Sequence, residues 1–189
     1  MEPGIAIEQA VKVLSDGGII LYPTDTVWGL GCDATNKSAV DRIFRIKRRA
    51  ESKSLIILVS GENMLKMYVR EIPEVAYQLI ELANTPLTII YPGACSLAPN
   101  VVAADGSVAI RIPDHPFCNR LLAKFRKPVV STSANIAGNI TPCRFTEIDK
   151  DIVASVDWMA DPQFESGSTC KPSSIIKLGL GGEVEIIRK

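Results

Sequence analysis

The chain has 189 residues, 47% of them apolar and 22% charged, and its 21 basic residues balance 21 acidic ones. That is enough chain to bury the core of one compact domain, expected to span residues 1–189. Zero net charge excludes a function resting on global electrostatics, so any charge-based recognition must come from local clustering.

The start, Met1-Glu2-Pro3-Gly4, lacks the basic and apolar regions of a secretory signal. No apolar run approaches ~18 residues, so no membrane partner is expected. Cys32, Cys95, Cys118, Cys143 and Cys170 are odd in number and far apart, and His115 is the one histidine. Neither a zinc site nor a disulfide framework is expected; five free thiols in a reduced, cytoplasmic setting are.

Ile7, Ala10, Val11 and Leu14 fall at helical spacing, and Gly17-Gly18 supply the stop. Ile19 to Tyr22 reads as a buried strand, followed by a long loop over residues 23–34. Ser38 is the expected N-cap of the next helix, with Asp41 as its capping partner. Leu55 to Val59 reads as a strand covered on both faces. Helices are predicted near 62–70 and 74–83, with Pro73 between them. Leu87 to Tyr91 is a strand, and residues 92–106 form a loop. Ser107 to Arg111 alternates as a strand. Pro113 to Pro116 opens a helix with Phe117, Leu121, Leu122 and Phe125 on its apolar face. Val129-Val130 is a short strand, and Ser174 to Ile187 is a hairpin turning at 179–182. Strands alternating with helices predict an α/β fold with a mixed sheet.

Three stretches carry chemistry. Arg42, Arg45, Lys47, Arg48, Arg49 and Lys53 place six cations within twelve residues; they serve either as a solvated helix end or as an anion site. The loop 23–34 offers Thr24 and Thr26, which either bond the local backbone or face a ligand. Its Gly29-x-Gly31 lacks the strand-to-helix context of a dinucleotide site. The loop Ser131 to Gly138 places hydroxyls and an amide at a strand end, where ligand oxygens bind. His115 reads as helix-start chemistry, which leaves nucleophilic catalysis without a base. The inventory favours positioning and charge stabilisation, as in phosphoryl or nucleotidyl transfer.

Tyr22-Pro23-Thr24-Asp25-Thr26-Val27-Trp28-Gly29-Leu30-Gly31 closely resembles the YPT[DE]TVYGLG motif of the YrdC-type family, the L-threonylcarbamoyladenylate synthases. Lys47-x-Arg49 matches that family's K-x-R motif, and Ser107 to Pro113 its V-A-[VI]-R-[IV]-P strand. Ser131-Thr132-Ser133-Ala134-Asn135-x-x-Gly138 resembles its S-T-S-A-N-x-S-G loop, and Lys171 to Ile176 its P-S-T-I segment. The matches are collinear over nearly the whole chain. Asn84-Thr85-Pro86-Leu87 stands where the family has W-P-G-P, Ser54 where it has proline, and Trp28 where it has tyrosine.

The resemblance implies synthesis of L-threonylcarbamoyl-AMP from L-threonine, bicarbonate and ATP with release of pyrophosphate, for t6A modification of tRNA. It implies an open, strongly twisted mixed α/β sheet with a concave, cationic cavity. Thr24, Thr88, Arg111, Ser131 and Ser173 would line the threonine side. Lys47, Arg49, Ser133, Asn135, Thr141 and Arg188 would hold ATP, with Lys47 and Arg49 positioning the triphosphate. Mg²⁺ would accompany ATP, with no resident metal site, and no residue is assigned as an acid or base. Downstream t6A transferase proteins, and tRNA or double-stranded RNA, would be further partners. The rival readings are a non-catalytic RNA-binding module on the same cavity and a paralogue with another carbamoyl acceptor.

Overall fold

The computed structural model describes residues 2–48 and 55–189. Nine strands among them, β1 (Ile20–Tyr22), β2 (Gly29–Gly31), β3 (Ile56–Leu58), β4 (Leu87–Tyr91), β5 (Val108–Arg111), β6 (Val129–Ser133), β7 (Trp158–Met159), β8 (Ser174–Leu178) and β9 (Val184–Arg188), form one open sheet in the order β7-β1-β2-β6-β3-β5-β4-β8-β9. The pairs β1/β7, β3/β5 and β4/β8 are parallel and the others antiparallel, so the sheet is mixed, as the sequence indicates.

Helix α1 (Pro3–Ser15) starts on Pro3, buries Ala6, Ile7, Ala10 and Leu14, and stops where Gly17 takes a left-handed φ of 76°. It leads to β1 (Ile20–Tyr22). The segment expected to be a long loop contains a strand, β2 (Gly29–Gly31), held between β1 and β6 (Val129–Ser133). Its glycines are there for closeness rather than for turning. A Cβ at Gly31 would stand 2.6 Å from the Tyr22 ring and 2.9 Å from the Val130 carbonyl oxygen. Gly31→Ala is therefore expected to destabilise the fold by about 2 kcal/mol through overpacking against the backbone. The check is a lower urea midpoint at unchanged slope.

Helix α2 (Lys37–Lys47) is capped by Asn36, whose side chain accepts from the Ala39 amide at 3.1 Å. Ser38 is not the cap, and Asp41 is drawn instead to Lys37 at 2.9 Å and Asn100 at 2.6 Å. Asn36 wins because its side chain reaches the open N–H groups of the first turn one residue pair earlier. Strand β3 (Ile56–Leu58) follows the undescribed residues. Helices α3 (Glu62–Leu65) and α4 (Glu74–Leu82) lead to β4 (Leu87–Tyr91) and then β5 (Val108–Arg111). Helix α5 (Pro116–Phe125) begins at His115 and packs Phe117, Cys118, Leu121, Leu122 and Phe125 inward. Helix α6 (Lys150–Ala154) and β7 (Trp158–Met159) precede the hairpin β8 (Ser174–Leu178) and β9 (Val184–Arg188).

Asp157 joins the β7 side to β1 and α2. It accepts from the Ile19 amide at 2.7 Å and from Arg42 at 3.1 Å. Those contacts hold its carboxyl below the usual range, led by the Arg42 bond. The stability it contributes is present above the unfolded pKa and is lost as pH falls through the depressed folded value.

The cysteine expectation is corrected. Cys143 and Cys170 form a disulfide with their Cα atoms 4.9 Å apart, while Cys32, Cys95 and Cys118 are free thiols. Their separation of 27 residues hides the pairing, because chain folding and not local spacing brings them together. No helix of the described residues is long and apolar enough to cross a membrane.

Candidate active site

Strand pairing explains how the polar residues converge. Along a strand, alternate side chains share a face. Arg111 on β5 is paired with Thr88 on β4, Thr88 with Ile175 on β8, and Ile175 with Arg188 on β9. One rung of four strands thus carries two guanidiniums with a hydroxyl between them. The neighbouring rung runs Ser131, Ile56, Ala109 and Ile90 across β6, β3, β5 and β4. All of these except Thr88 face a cavity of about 290 Å³, closed by Thr24, Thr26, Thr141 and Ser173 from the loops; Thr88, expected to line it, is fully buried and does not. Gly29 lies beside it, 3.3 Å from the Ser131 hydroxyl at its Cβ position, so any larger residue there narrows the cavity.

A larger cavity of about 480 Å³ lies on the opposite face, under α4, walled by Ile80, Ile89, Tyr91 and Ile110. Its charged lining residues are Asp25 and Asp114, both acidic. An anionic substrate therefore belongs in the smaller cavity, whose charged lining residues are Arg111 and Arg188.

Arg111 is 4% exposed and is held rigidly. Its Nη1 donates to the Thr26 hydroxyl at 3.0 Å, and its Nη2 lies 3.4 Å from Asp25 Oδ1. Its Nε is buried with no hydrogen-bond partner among the described residues. The Thr26 hydroxyl in turn meets Thr24 Oγ1 at 2.9 Å, and Thr24 donates to the Val27 carbonyl at 2.8 Å. With Arg111 donating, the proton order is fixed: Arg111 to Thr26, Thr26 to Thr24, Thr24 to Val27. Thr24 Oγ1 also accepts from the amides of Thr26 and Val27. Its hydroxyl is thus used to shape the loop, although the residue lines the cavity. The sequence offers Thr26 as a backbone or ligand contact but does not place it or Asp25 beside Arg111; that nearness is set by tertiary packing.

At the other end, Arg188 donates from Nε to the Ser173 carbonyl at 2.9 Å and from Nη2 to the Ser173 hydroxyl at 3.5 Å. Ser173 Oγ and Thr88 Oγ1 are 2.7 Å apart. Burial, and then the positive charge of Arg111, lower the Arg188 pKa. Two guanidiniums thus repel across one cavity with no carboxylate among its described lining residues, which makes a bound anion favourable.

Lys47, at the end of α2, is 2% exposed. Its ammonium donates to the carbonyls of Ser133 at 2.5 Å and Asn135 at 2.7 Å, with Asn135 Oδ1 at 3.4 Å. The Lys47 carbonyl accepts from the Ala137 amide at 2.9 Å. Lys47 therefore ties the end of α2 to the loop after β6. Asn135 is equally engaged: its Oδ1 accepts from the Ser133 hydroxyl at 2.6 Å, and its Nδ2 donates to the Asn139 carbonyl at 2.7 Å. Neither lines the 290 Å³ cavity; Asn135 lines a neighbouring one of about 510 Å³ beyond Thr141.

The described members of the cationic run disperse. Arg42 pairs with Asp157 at 2.9 Å, and exposed Arg48 lies 3.9 Å from Asp151. Helical spacing sends these side chains to different sides of α2. Arg49 and Lys53 lie outside the described residues. His115 is buried, with Nε2 3.1 Å from the Ser166 carbonyl, and burial lowers its pKa. It fixes the 165–173 segment at the head of α5, consistent with a role at the helix start.

The Sua5/YciO/YrdC family model, described as telomere recombination, matches residues 12–189. The chain belongs to this Sua5/YciO/YrdC family. A Stenotrophomonas maltophilia relative, threonylcarbamoyl-AMP synthase, is 35% identical over 184 residues, 95% of this chain and 97% of the relative. The P. abyssi Sua5 structure complexed with L-threonine superposes with a TM-score of 0.85 at 29% identity, over 94% of this chain and 52% of that one. E. coli YciO does so at 0.81 and 25% identity, over 100% of this chain and 90% of that one. The chain thus spans nearly the full length of the curated relative and about half of the P. abyssi protein. Family membership accounts for the shared sheet, and the Sua5 threonine complex shows that a family member of the same fold binds an amino acid.

Proposed function

We propose that the protein is an L-threonylcarbamoyladenylate synthase, joining L-threonine, bicarbonate and ATP. The observation that carries this reading is the pair Arg111 and Arg188 on one rung, facing a cavity lined by hydroxyls and free of carboxylates among its described residues. Two curated relatives that carry the synthase name match 95% and 93% of this chain.

The threonine carboxylate sits against Arg111, whose orientation is set by Thr26 and Asp25. Ser173, held by the buried Thr88, offers a hydroxyl beside it. The threonine amine and bicarbonate form a carbamate with loss of water. A carbamate oxygen attacks the α-phosphorus of ATP, the α–β bridging P–O bond breaks, and pyrophosphate leaves. No side chain serves as nucleophile; the residues hold the reactants in line and stabilise charge on the departing group. Arg188, Ser133 and Thr141 face the nucleotide side of the cavity. Lys47 and Asn135 hold the loop that presents Ser133, and Arg49 is retained as a triphosphate contact on its motif. Ser131 lines the wall between the two substrates.

Mg²⁺ accompanies the triphosphate. Hydroxyls and guanidiniums are a poor donor set for a resident Mg²⁺, and the described residues hold no group of three or more His, Cys, Asp or Glu that could bind a metal ion. The ion is therefore assigned to the phosphates of the substrate, and no step is routed through it. The product feeds t6A transferase proteins acting on tRNA, in the cytoplasm.

The test is pyrophosphate release with single omissions. Release is expected only when threonine, bicarbonate and ATP are all present. Equal release without threonine rejects the assignment.

A further inference from the structure

The Cys143–Cys170 disulfide joins two segments that both reach the candidate cavity. Thr141 stands two residues before Cys143, and Pro172 and Ser173 follow Cys170; all three line the cavity. The two segments are anchored unequally. On the Cys170 side, Ser168 donates to the Thr26 carbonyl, the Thr169 amide donates to the Asp25 carbonyl at 2.9 Å, and Ser173 meets Thr88 and Arg188. On the Cys143 side, Asn139 is fixed by Asn135 at 2.7 Å, and the Cys143 amide donates to Glu147 at 2.8 Å. Between them, Ile140, Thr141 and Pro142 make no hydrogen bond to the described residues, and Ile140 is 93% exposed. Beyond Cys143, the Phe145 amide donates to Glu165 at 3.0 Å and its ring packs 5.3 Å from Trp28; the disulfide is the covalent tie between the 140–143 span and the Cys170 segment.

We propose that Cys143 and Cys170 are a reversible oxidative modification site that fixes the Thr141 loop over the cavity when oxidised and releases it when reduced. The reacting partner is a small or protein dithiol. Reduction transfers two electrons and two protons from that dithiol to the S–S bond, giving two cysteine thiols and the partner's disulfide; oxidation is the reverse exchange. Access permits this, since Cys170 is exposed and Cys143 half-buried. Each is followed directly by a basic residue, Arg144 and Lys171, a setting that favours the reactive thiolate. Cys32 and Cys118 are buried with their thiol pKa values pushed up, so they stay out of the exchange.

The effect on nucleotide rests on the synthase reading; the switch in the loop does not. The experiment therefore measures both on the full chain. Aerobically purified protein, denatured and alkylated without reductant, is expected to take three labels, and five after native treatment with dithiothreitol. Hydrogen exchange at residues 140–143 is expected to rise about tenfold on reduction, as for a segment that opens locally. ATP affinity is expected to fall about fivefold, the size of one segment's ordering contribution. Cys143→Ser and Cys170→Ser should match the reduced protein in air and ignore dithiothreitol. Five labels without reductant, or three that persist after native reduction, overturn the proposal. So does equal exchange at 140–143 in the two states. A loop that responds in a protein that binds no ATP in either state leaves the switch standing and removes the synthase reading instead.

Discussion

Arg111→Lys is expected to lower kcat/KM for threonine by about a hundredfold while the protein stays folded. The guanidinium divides its donors in a way an ammonium cannot copy. Nη1 is committed to Thr26 and Nη2 faces Asp25, while the same planar group lines the cavity. A lysine still neutralises the 4% exposed Asp25 carboxylate, which keeps the fold. It then has no planar edge to offer a carboxylate, and one missing preorganised contact costs ~3 kcal/mol in the transition state. Arg111→Ala is the poorer probe, because stranding a buried partner charge costs about 3–5 kcal/mol of stability and mixes unfolding with catalysis. Steady-state kinetics beside urea unfolding of the lysine variant separate the two effects. An unchanged kcat/KM for threonine would remove Arg111 from the site.

Lys47→Ala carries the second large effect, and on two readouts. The residue is 2% exposed and its ammonium serves Ser133 and Asn135. Removing it leaves buried acceptors unpaired, at about 1–3 kcal/mol each. A destabilisation of about 3 kcal/mol is expected, read as a Tm lower by roughly 6–12 °C for a chain of this size. Below that Tm, synthesis should still fall, because the loop carrying Ser133 loses its tie to α2. This differs from what the K-x-R motif alone suggests, namely a rate defect with intact stability. A shift in Tm under about 2 °C would contradict the buried position. The same burial bears on the RNA-binding alternative: a polynucleotide backbone cannot reach Lys47 unless the loop after β6 opens.

The sheet was legible wherever burial wrote the pattern. The apolar run of β4 with Thr88 inside it, the alternation of β5 around Arg111, and the β8–β9 hairpin all follow from period-two reading. The polar rung of Arg111, Thr88 and Arg188 was legible only through motif resemblance, because pairing register between distant strands is not encoded locally. β2 was missed because Gly-x-Gly reads as a turn, whereas here Gly31 makes room for the Tyr22 ring. The cationic run left a solvated helix end and an anion site both open, and α2 spreads its described members, Arg42 toward Asp157 and Arg48 toward Asp151. The charge of the cavity comes from residues far apart in sequence. The Cys143–Cys170 bond and the Asp25–Arg111 pair are tertiary facts of the same kind.

The most direct measurement uses ¹³C-bicarbonate. The protein is incubated with ATP, threonine and labelled bicarbonate, and the adenylate product is weighed and fragmented. One added ¹³C in the carbamoyl group of threonylcarbamoyl-AMP, with one pyrophosphate released per product, is the expected result. AMP or ADP without a threonine adduct, or an adduct that carries no label, would contradict the synthase assignment.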